Sequence, residues 1–340
     1  MLQRISMLAC MIILIAASAV AQPGPKQGPP VAPGPPPTGS GPYSAIIEGD
    51  PGLASHTLYR PANLAPFSQN NSLPVVAWGN GGCANSSQFY APFLAEIASR
   101  GFLVVAIGPY APAAAADSGG MGGGGGTKSS QLLDALDWAT AENKRQDSKY
   151  FQKLDPSKFA VLGHSCGGLQ ALEVSADPRV TTTLIMDSGV VIPGAMPKAG
   201  MPPGGAPKAG APKAGMPAGA PPGAAPKMPA MGGAMSIGKE FLQKLHSPVI
   251  YINGGETDIA YANGMDDFAK IDKVPVGMAN LDVGHGGTYN QPNGGEFGRV
   301  AVAWLQWQLK KDETAGTLFS GPSCGLCKDE KWKFEKKMIP

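Results

Sequence analysis

The stretch that most constrains this chain runs from Lys158 to Ser175: an apolar run Phe159-Ala160-Val161-Leu162, then Gly163-His164-Ser165-Cys166-Gly167-Gly168, then Leu169-Gln170-Ala171-Leu172-Glu173-Val174. It reads as a buried strand, a glycine-flanked serine and a helix, the order of a nucleophile elbow. Such a strand must end abruptly, leaving Ser165 on a tight turn with its hydroxyl free. Gly163 and Gly167 stand two before and two after, where crowding backbone leaves no room for side chains. The helix that follows aims its N-terminal N–H groups at developing negative charge. A glycine-rich chain can produce this pentapeptide by accident, and the plain alternative is a turn with a solvated serine. The turn residues Asp155-Pro156-Ser157 ahead of the strand favour the elbow.

The rest of the chain supplies strands and helices in a compatible order. Val75-Val76-Ala77-Trp78 is a continuous apolar run, followed directly by Gly79-Asn80-Gly81-Gly82-Cys83. From Gln88 to Arg100 the spacing puts Phe89, Phe93, Leu94, Ile97 and Ala98 on one helical face, and Gly101 closes it. Phe102 to Ile107 is the next buried strand, so strand, helix and strand make a parallel crossover unit. A helix carrying Leu132, Leu133, Leu136 and Trp138 begins near Ser129 or Ser130, either of which suits an N-cap. Strands follow at Val180–Asp187, Pro248–Asn253 and Met278–Val283, with a final amphipathic helix over Gly295–Lys310. The expected architecture is one three-layer α/β domain, 43–327, with a mostly parallel sheet.

Several segments cannot enter that core. Gly 47 and Pro 34 make up roughly a quarter of 340 residues, well above ordinary usage. Residues 1–21 carry Arg4, an apolar run from Leu8 to Ala17, and Ala19-Val20-Ala21, the pattern of a cleavable export signal; an uncleaved anchor is the alternative. Residues 22–42 are a Pro/Gly-rich linker expected to be disordered. Ala111–Thr127, rich in Ala and Gly, reads as a mobile loop. An insertion over 192–236 repeats Pro-Lys-Ala-Gly irregularly and buries too little apolar area to offset chain entropy. Its four lysines suit weak attachment to an anionic surface, against the plainer reading of an expanded spacer. Residues 328–340 read as a basic, irregular tail.

Charge and cysteines narrow the functional classes. A net charge of +2 with 15 % charged residues, and no basic stripe interleaved with aromatics, argues against a nucleic-acid partner. No segment after the first twenty-odd residues is apolar enough for stable membrane insertion. Beyond Cys10, the even set Cys83, Cys166, Cys324 and Cys327 favours disulfides in an exported chain, with three connectivities possible. One Cys-x-x-Cys without histidines at ligand spacing argues against a metal site, and nothing in the sequence calls for a cofactor.

A serine hydroxyl needs a base, and the base needs an acid to orient it. Of the four histidines, His56 lies in an early strand, His246 at a helix end and His164 beside the serine. His285, in Asp282-Val283-Gly284-His285-Gly286-Gly287 after the last parallel strand, is the preferred base. After the strand Val249–Asn253 come Glu256 and Asp258. Asp258 is preferred as the acid because the loop needs length to turn back, and Asp187 is the alternate. Oxyanion stabilisation calls for two backbone donors: the N–H of Cys166 and one from the Gly79–Cys83 loop, Cys83 first and Gly82 as alternate.

Taken together, the Gly-Asn-Gly-Gly-Cys loop, the Gly-His-Ser-Cys-Gly-Gly elbow, a late aspartate and Gly-His-Gly-Gly resemble the α/β-hydrolase superfamily. Within it the chain is similar to cutinase-like polyesterases and dienelactone-hydrolase-type esterases. With the first group it shares the elbow, a helix ending before Gly101-Phe102, and Ala303-Trp304 in the terminal helix. The resemblance implies a secreted or periplasmic, monomeric serine esterase acting on small-molecule or polymeric esters through an acyl-enzyme, with amide hydrolysis or surface adhesion on a hydrolase scaffold as alternatives. Two departures stand out. The polyesterases place an aromatic at the second oxyanion position and another before the acid, where this chain has Cys83 and Ser188-Gly189. Dienelactone hydrolases use a cysteine nucleophile, where this chain has Ser165. Cys83 and Cys166 would then both flank the oxyanion site, and a disulfide between them, with Cys324–Cys327 pairing separately, would fix the two donors. Buried reduced thiols are the alternative.

Overall fold

Strands that pair in parallel and are covered on both faces need apolar side chains at successive positions, and six runs in this sequence meet that condition. In the computed structural model, which describes residues 35–110, 126–192 and 237–340, they form the centre of a nine-stranded sheet. In chain order the strands are β1 (Ala45–Glu48), β2 (His56–Pro61), β3 (Leu73–Gly79), β4 (Leu103–Ile107), β5 (Leu154–His164), β6 (Val180–Met186), β7 (Val249–Asn253), β8 (Val276–Leu281) and β9 (Trp332–Lys337). Their order across the sheet is β1-β2-β4-β3-β5-β6-β7-β8-β9. The pairings from β4 to β8 are parallel; β1–β2, β2–β4 and β8–β9 are antiparallel.

Alternation along each strand sends residues to two cores. Val76, Trp78, Val104, Ala160 and Leu162 face one layer, with Phe93, Leu94 and Ile97 of α1 (Ala91–Ser99) and Val300, Trp304 and Leu309 of α5 (Gly295–Lys310). Val75, Ala77, Val105, Val161 and Tyr251 face the other. There they meet Leu132 and Leu136 of α2 (Ser130–Lys144), Ala171 and Leu172 of α3 (Cys166–Val174), and Phe268 of α4 (Tyr261–Lys270). This is the expected three-layer, mostly parallel α/β arrangement. Its consequence for chemistry is that β3, β5, β6, β7 and β8 all end at one edge, so their following loops share one rim.

Several local expectations are corrected. The supposed basic tail from 328 contains β9, whose register pairs Trp332 with Leu281 and Phe334 with Ala279. Its Trp-Lys-Phe-Glu-Lys pattern has period two: Trp332 is buried and Lys333 exposed, and the lysines blunt the outer edge against further pairing. The last residues of the supposed linker are pinned to α1: Ser40 N–H donates to Glu96 Oε2 at 2.6 Å and Gly41 N–H to Ser99 Oγ at 2.9 Å. Asp155-Pro156-Ser157 is a bulge inside β5 rather than a turn before it, since β3 pairs Pro74 with Asp155 and then Val75 with Phe159. Phe89 stands exposed, in a short 3-10 turn ahead of α1. Ser129 stands at the N-cap of α2, but its hydroxyl makes no capping bond; Gln131 Oε1 accepts from Lys128 N–H at 2.7 Å. Residues 1–34, 111–125 and 193–236 lie outside the described residues, and with them the expected export signal, most of the linker, most of the Ala/Gly loop and all of the insertion but Ile192.

Candidate active site

The elbow forms as the glycine spacing requires. Ser165, between β5 and α3, has φ 52° and ψ −115°, a conformation costing an L residue about 1–3 kcal/mol. Two bonds hold it there: Ser165 N–H to Met186 O at 2.9 Å, and Ser188 Oγ–H to Ser165 O at 2.7 Å. A Cβ on Gly163 would lie 2.2 Å from the Gly167 carbonyl, and one on Gly167 would lie 2.1 Å from that of Gly79. Close approach of three backbone segments thus fixes the turn, and it brings the loop after β3 against the N-terminus of α3.

The other strand ends deliver the partners. His285, after β8, places Nε2 3.0 Å from Ser165 Oγ and Nδ1 2.6 Å from Asp258 Oδ1. Asp258, after β7, is buried and accepts Ala260 N–H at 2.8 Å and Gly254 N–H at 3.2 Å. Burial works to raise its pKa, but the hydrogen bonds from His285 and Ala260, with others, outweigh it and hold the carboxyl below its ordinary range. The two loops are stitched together, for Val283 and Gly284 both donate to Gly254 O.

The remaining candidates lie elsewhere. Glu256 is exposed and paired with Lys333 at 3.2 Å. His56 bonds Gln131 O and Ser55 Oγ rather than Ser165 or either carboxylate, and His246 is exposed at the end of a 3-10 turn. The alternate acid Asp187 ends β6, fully buried behind Asp258, and takes a hydrogen bond from Tyr289 OH at 2.7 Å.

A disulfide joins Cys83 to Cys166 with a Cα–Cα distance of 5.2 Å, and a second joins Cys324 to Cys327. Cys83 has φ 50° and Gly82 φ 64°, so the loop doubles back over α3. The Cys83 carbonyl accepts Thr127 N–H and Oγ–H, both at 3.1 Å, and Thr127 O accepts Gln170 Nε2–H. The Cys83 peptide is thereby tied to α3 both covalently and through Thr127.

Sequence reasoning passed over the partners behind this rim. Gly81 N–H donates to Tyr90 OH at 2.9 Å, which directs the hydroxyl proton to His164 Nδ1 at 2.9 Å. His164 Nε2–H then donates to His285 O at 2.8 Å. His164 is therefore the neutral Nε2–H tautomer; burial first, with the nearby His285 adding to it, pushes its pKa down to about 4. It links the Gly81 loop to the backbone of His285. The histidine beside the serine was visible in the sequence, but nothing there signalled its bond to Tyr90, seventy-four positions away.

Residues 31–186 match the family model described as PETase, PET hydrolase-like. No curated protein matches the chain. The matched stretch includes β1 to β6 and the Ser165 elbow, and ends before Asp258 and His285. The family is one of ester hydrolases. The strand order and the elbow between β5 and α3 are those of an α/β-hydrolase fold, and over residues 31–186 the chain is similar to the PET hydrolase-like family.

Proposed function

We propose that the protein is an exported serine hydrolase that cleaves carboxylic esters through an acyl-enzyme, with Ser165 as nucleophile, His285 as base and Asp258 as the acid that orients it. The observation that carries this reading is the continuous chain from Ser165 Oγ to His285 Nε2 (3.0 Å) and from His285 Nδ1 to Asp258 Oδ1 (2.6 Å). In the forward step the Ser165 Oγ–carbon bond forms as its proton passes to His285 Nε2. The tetrahedral oxyanion is held by the N–H of Cys166 and that of Cys83 or, as alternate, Gly82. His285 then protonates the departing alkoxide as the carbon–oxygen bond breaks. Water repeats the sequence on the acyl-enzyme, and Ser165 recovers its proton.

The rim favours apolar esters. Among the described residues the exposed large apolar side chains are Phe89, Tyr110, Val191, Ile259, Val283 and Met338. The first five lie in the segments that follow β3, β4, β6, β7 and β8, on the rim that carries Ser165. Two disulfides fit an oxidising compartment, and no helix among the described residues is long and apolar enough to cross a membrane.

A p-nitrophenyl ester series on wild type and Ser165→Ala tests the reading. The variant is expected to lose about three or more powers of ten in kcat/KM, and only the wild type should label with a fluorophosphonate. A folded variant within tenfold of wild type would sink the proposal. Matched amides run in parallel should turn over far more slowly than the esters.

A further inference from the structure

Asp187 is a buried carboxyl that the proposed chemistry does not use. It is fully inaccessible, at the end of β6 with φ 43°, and its backbone N–H donates to Ile252 O at 2.9 Å. Three elements surround it. From the loop after β8, Tyr289 OH donates to Oδ2 at 2.7 Å. From the elbow, His164 Nε2 stands 3.7 Å from the same oxygen, but its proton goes to His285 O and the ring is neutral. From the loop after β7, the Asp258 carboxyl lies within hydrogen-bonding reach. Gly254 N–H also faces the pair and donates to Asp258 Oδ2. Tyr90 adds a more distant hydroxyl, and His285 lies beyond Asp258.

No lysine or arginine among the described residues pairs with Asp187, and its Oδ1 receives no hydrogen bond. An ionised carboxylate with an unserved oxygen, dry and against a second carboxylate, is a costly arrangement. A carboxylic acid is not, because it has a proton to give and Asp258 can take it.

We propose that Asp187 is held as a neutral carboxylic acid that donates its proton to Asp258, so that the pair carries a single negative charge and Asp187 acts as a positioning residue for the acid that orients His285. Asp258 is then bonded on every side, by His285 and Ala260 on Oδ1 and by Gly254 on Oδ2, with Asp187 completing the set. The direction of the two ionisations agrees: burial, and next the charge on Asp258, push Asp187 well above the ordinary carboxylate range, while Asp258 sits below it. Two like groups pushed apart in this way share one proton across the pair.

The catalytic part of this inference rests on the serine-hydrolase reading; the protonation does not. Infrared spectra of the full chain at pH 8 test the protonation directly. That pH lies above the other raised aspartate, Asp267, at about 6. Wild type should show the carbonyl stretch of a protonated carboxyl, and Asp187→Asn should lack it. The carboxamide supplies the same donor to Asp258 and acceptor to Tyr289, so Asp187→Asn should keep kcat/KM within about threefold, where loss of a triad acid's charge costs about 10⁴. Asp187→Ala should move the acid limb of kcat/KM up by about one pH unit, as Asp258 loses a donor, with kcat falling more than KM changes. Absence of the band in wild type overturns the proposal whether or not the variants fold. So does a folded Asp187→Asn as inactive as Asp258→Asn. If Ser165→Ala stays active, the ester reading fails while the band still decides the proton.

Discussion

Removing the Cys83–Cys166 disulfide should affect stability and turnover together, and the structure gives the size of each. The bridge spans a sequence separation of 83 and Cys324–Cys327 one of 3. On the chain-entropy account, closing these loops is worth about 4.5 and about 1.6 kcal/mol respectively. For a domain of this size the first figure corresponds to a fall in Tm of roughly 10–15 °C. Turnover should separate the two more sharply. Cys83 and Cys166 each supply a proposed oxyanion N–H, and full loss of one such donor costs about 10²–10³ in kcat. The Thr127 bonds to the Cys83 carbonyl survive, so Cys83→Ala/Cys166→Ala should lose about ten- to a hundredfold in kcat, with KM little changed. Cys324→Ala/Cys327→Ala should keep kcat. Non-reducing melts and p-nitrophenyl butyrate kinetics on both double variants read the two effects. Equal losses in both, or undiminished kcat without the first bridge, would refute the idea that it holds the oxyanion loop in place.

Two further outcomes are expected. His164 has a pKa of about 4 in the fold, against an ordinary value near 6.5; between these limits the unfolded chain binds the proton and the native state does not, so stability present above about 6.5 is lost as pH falls toward 4, by about 2 kcal/mol at pH 5. Urea unfolding at pH 7 and pH 5 should show that loss in wild type and a smaller one in His164→Gln; equal losses in both would remove His164 as the source. The flanks of residues 193–236 are both clamped on α4, Val190 N–H and Lys239 Nζ each donating to Asp267, at 2.8 and 2.6 Å. A short Gly/Ser bridge in place of 193–236 should therefore leave Tm and ester turnover unchanged, and a fall in either would show that the insertion contributes to the fold or the site.

What was legible in the sequence follows from where each role is decided. β3 to β8 could be read because a strand covered on both faces must be apolar at nearly every position, and Val75–Trp78 or Phe159–Leu162 admit few other uses. Ser165, Asp258 and His285 could be singled out because a parallel sheet delivers the segments after β5, β7 and β8 to one rim, so order along the chain constrains position in space. β9 was missed for a physical reason: an edge strand buries one face only, and five lysines from Lys328 to Lys337 hide the alternation of Trp332 and Phe334 in a composition that reads as solvated. Ser40 and Gly41 lie in a stretch dominated by proline and glycine, and their order comes from Glu96 and Ser99 on a helix more than fifty residues away.

Asp187 marks a different limit. Its place at the end of β6 was visible, and so was its chemical type, which made it a natural alternate to Asp258. Whether it carries a charge is not a property of its own segment. That depends on Tyr289, His164 and Asp258 arriving from three other loops, on the absence of a cation among them, and on the exclusion of water when they close. A sequence can nominate two carboxylates for one histidine. Only the packing of the loops around them decides that one keeps the charge and the other the proton.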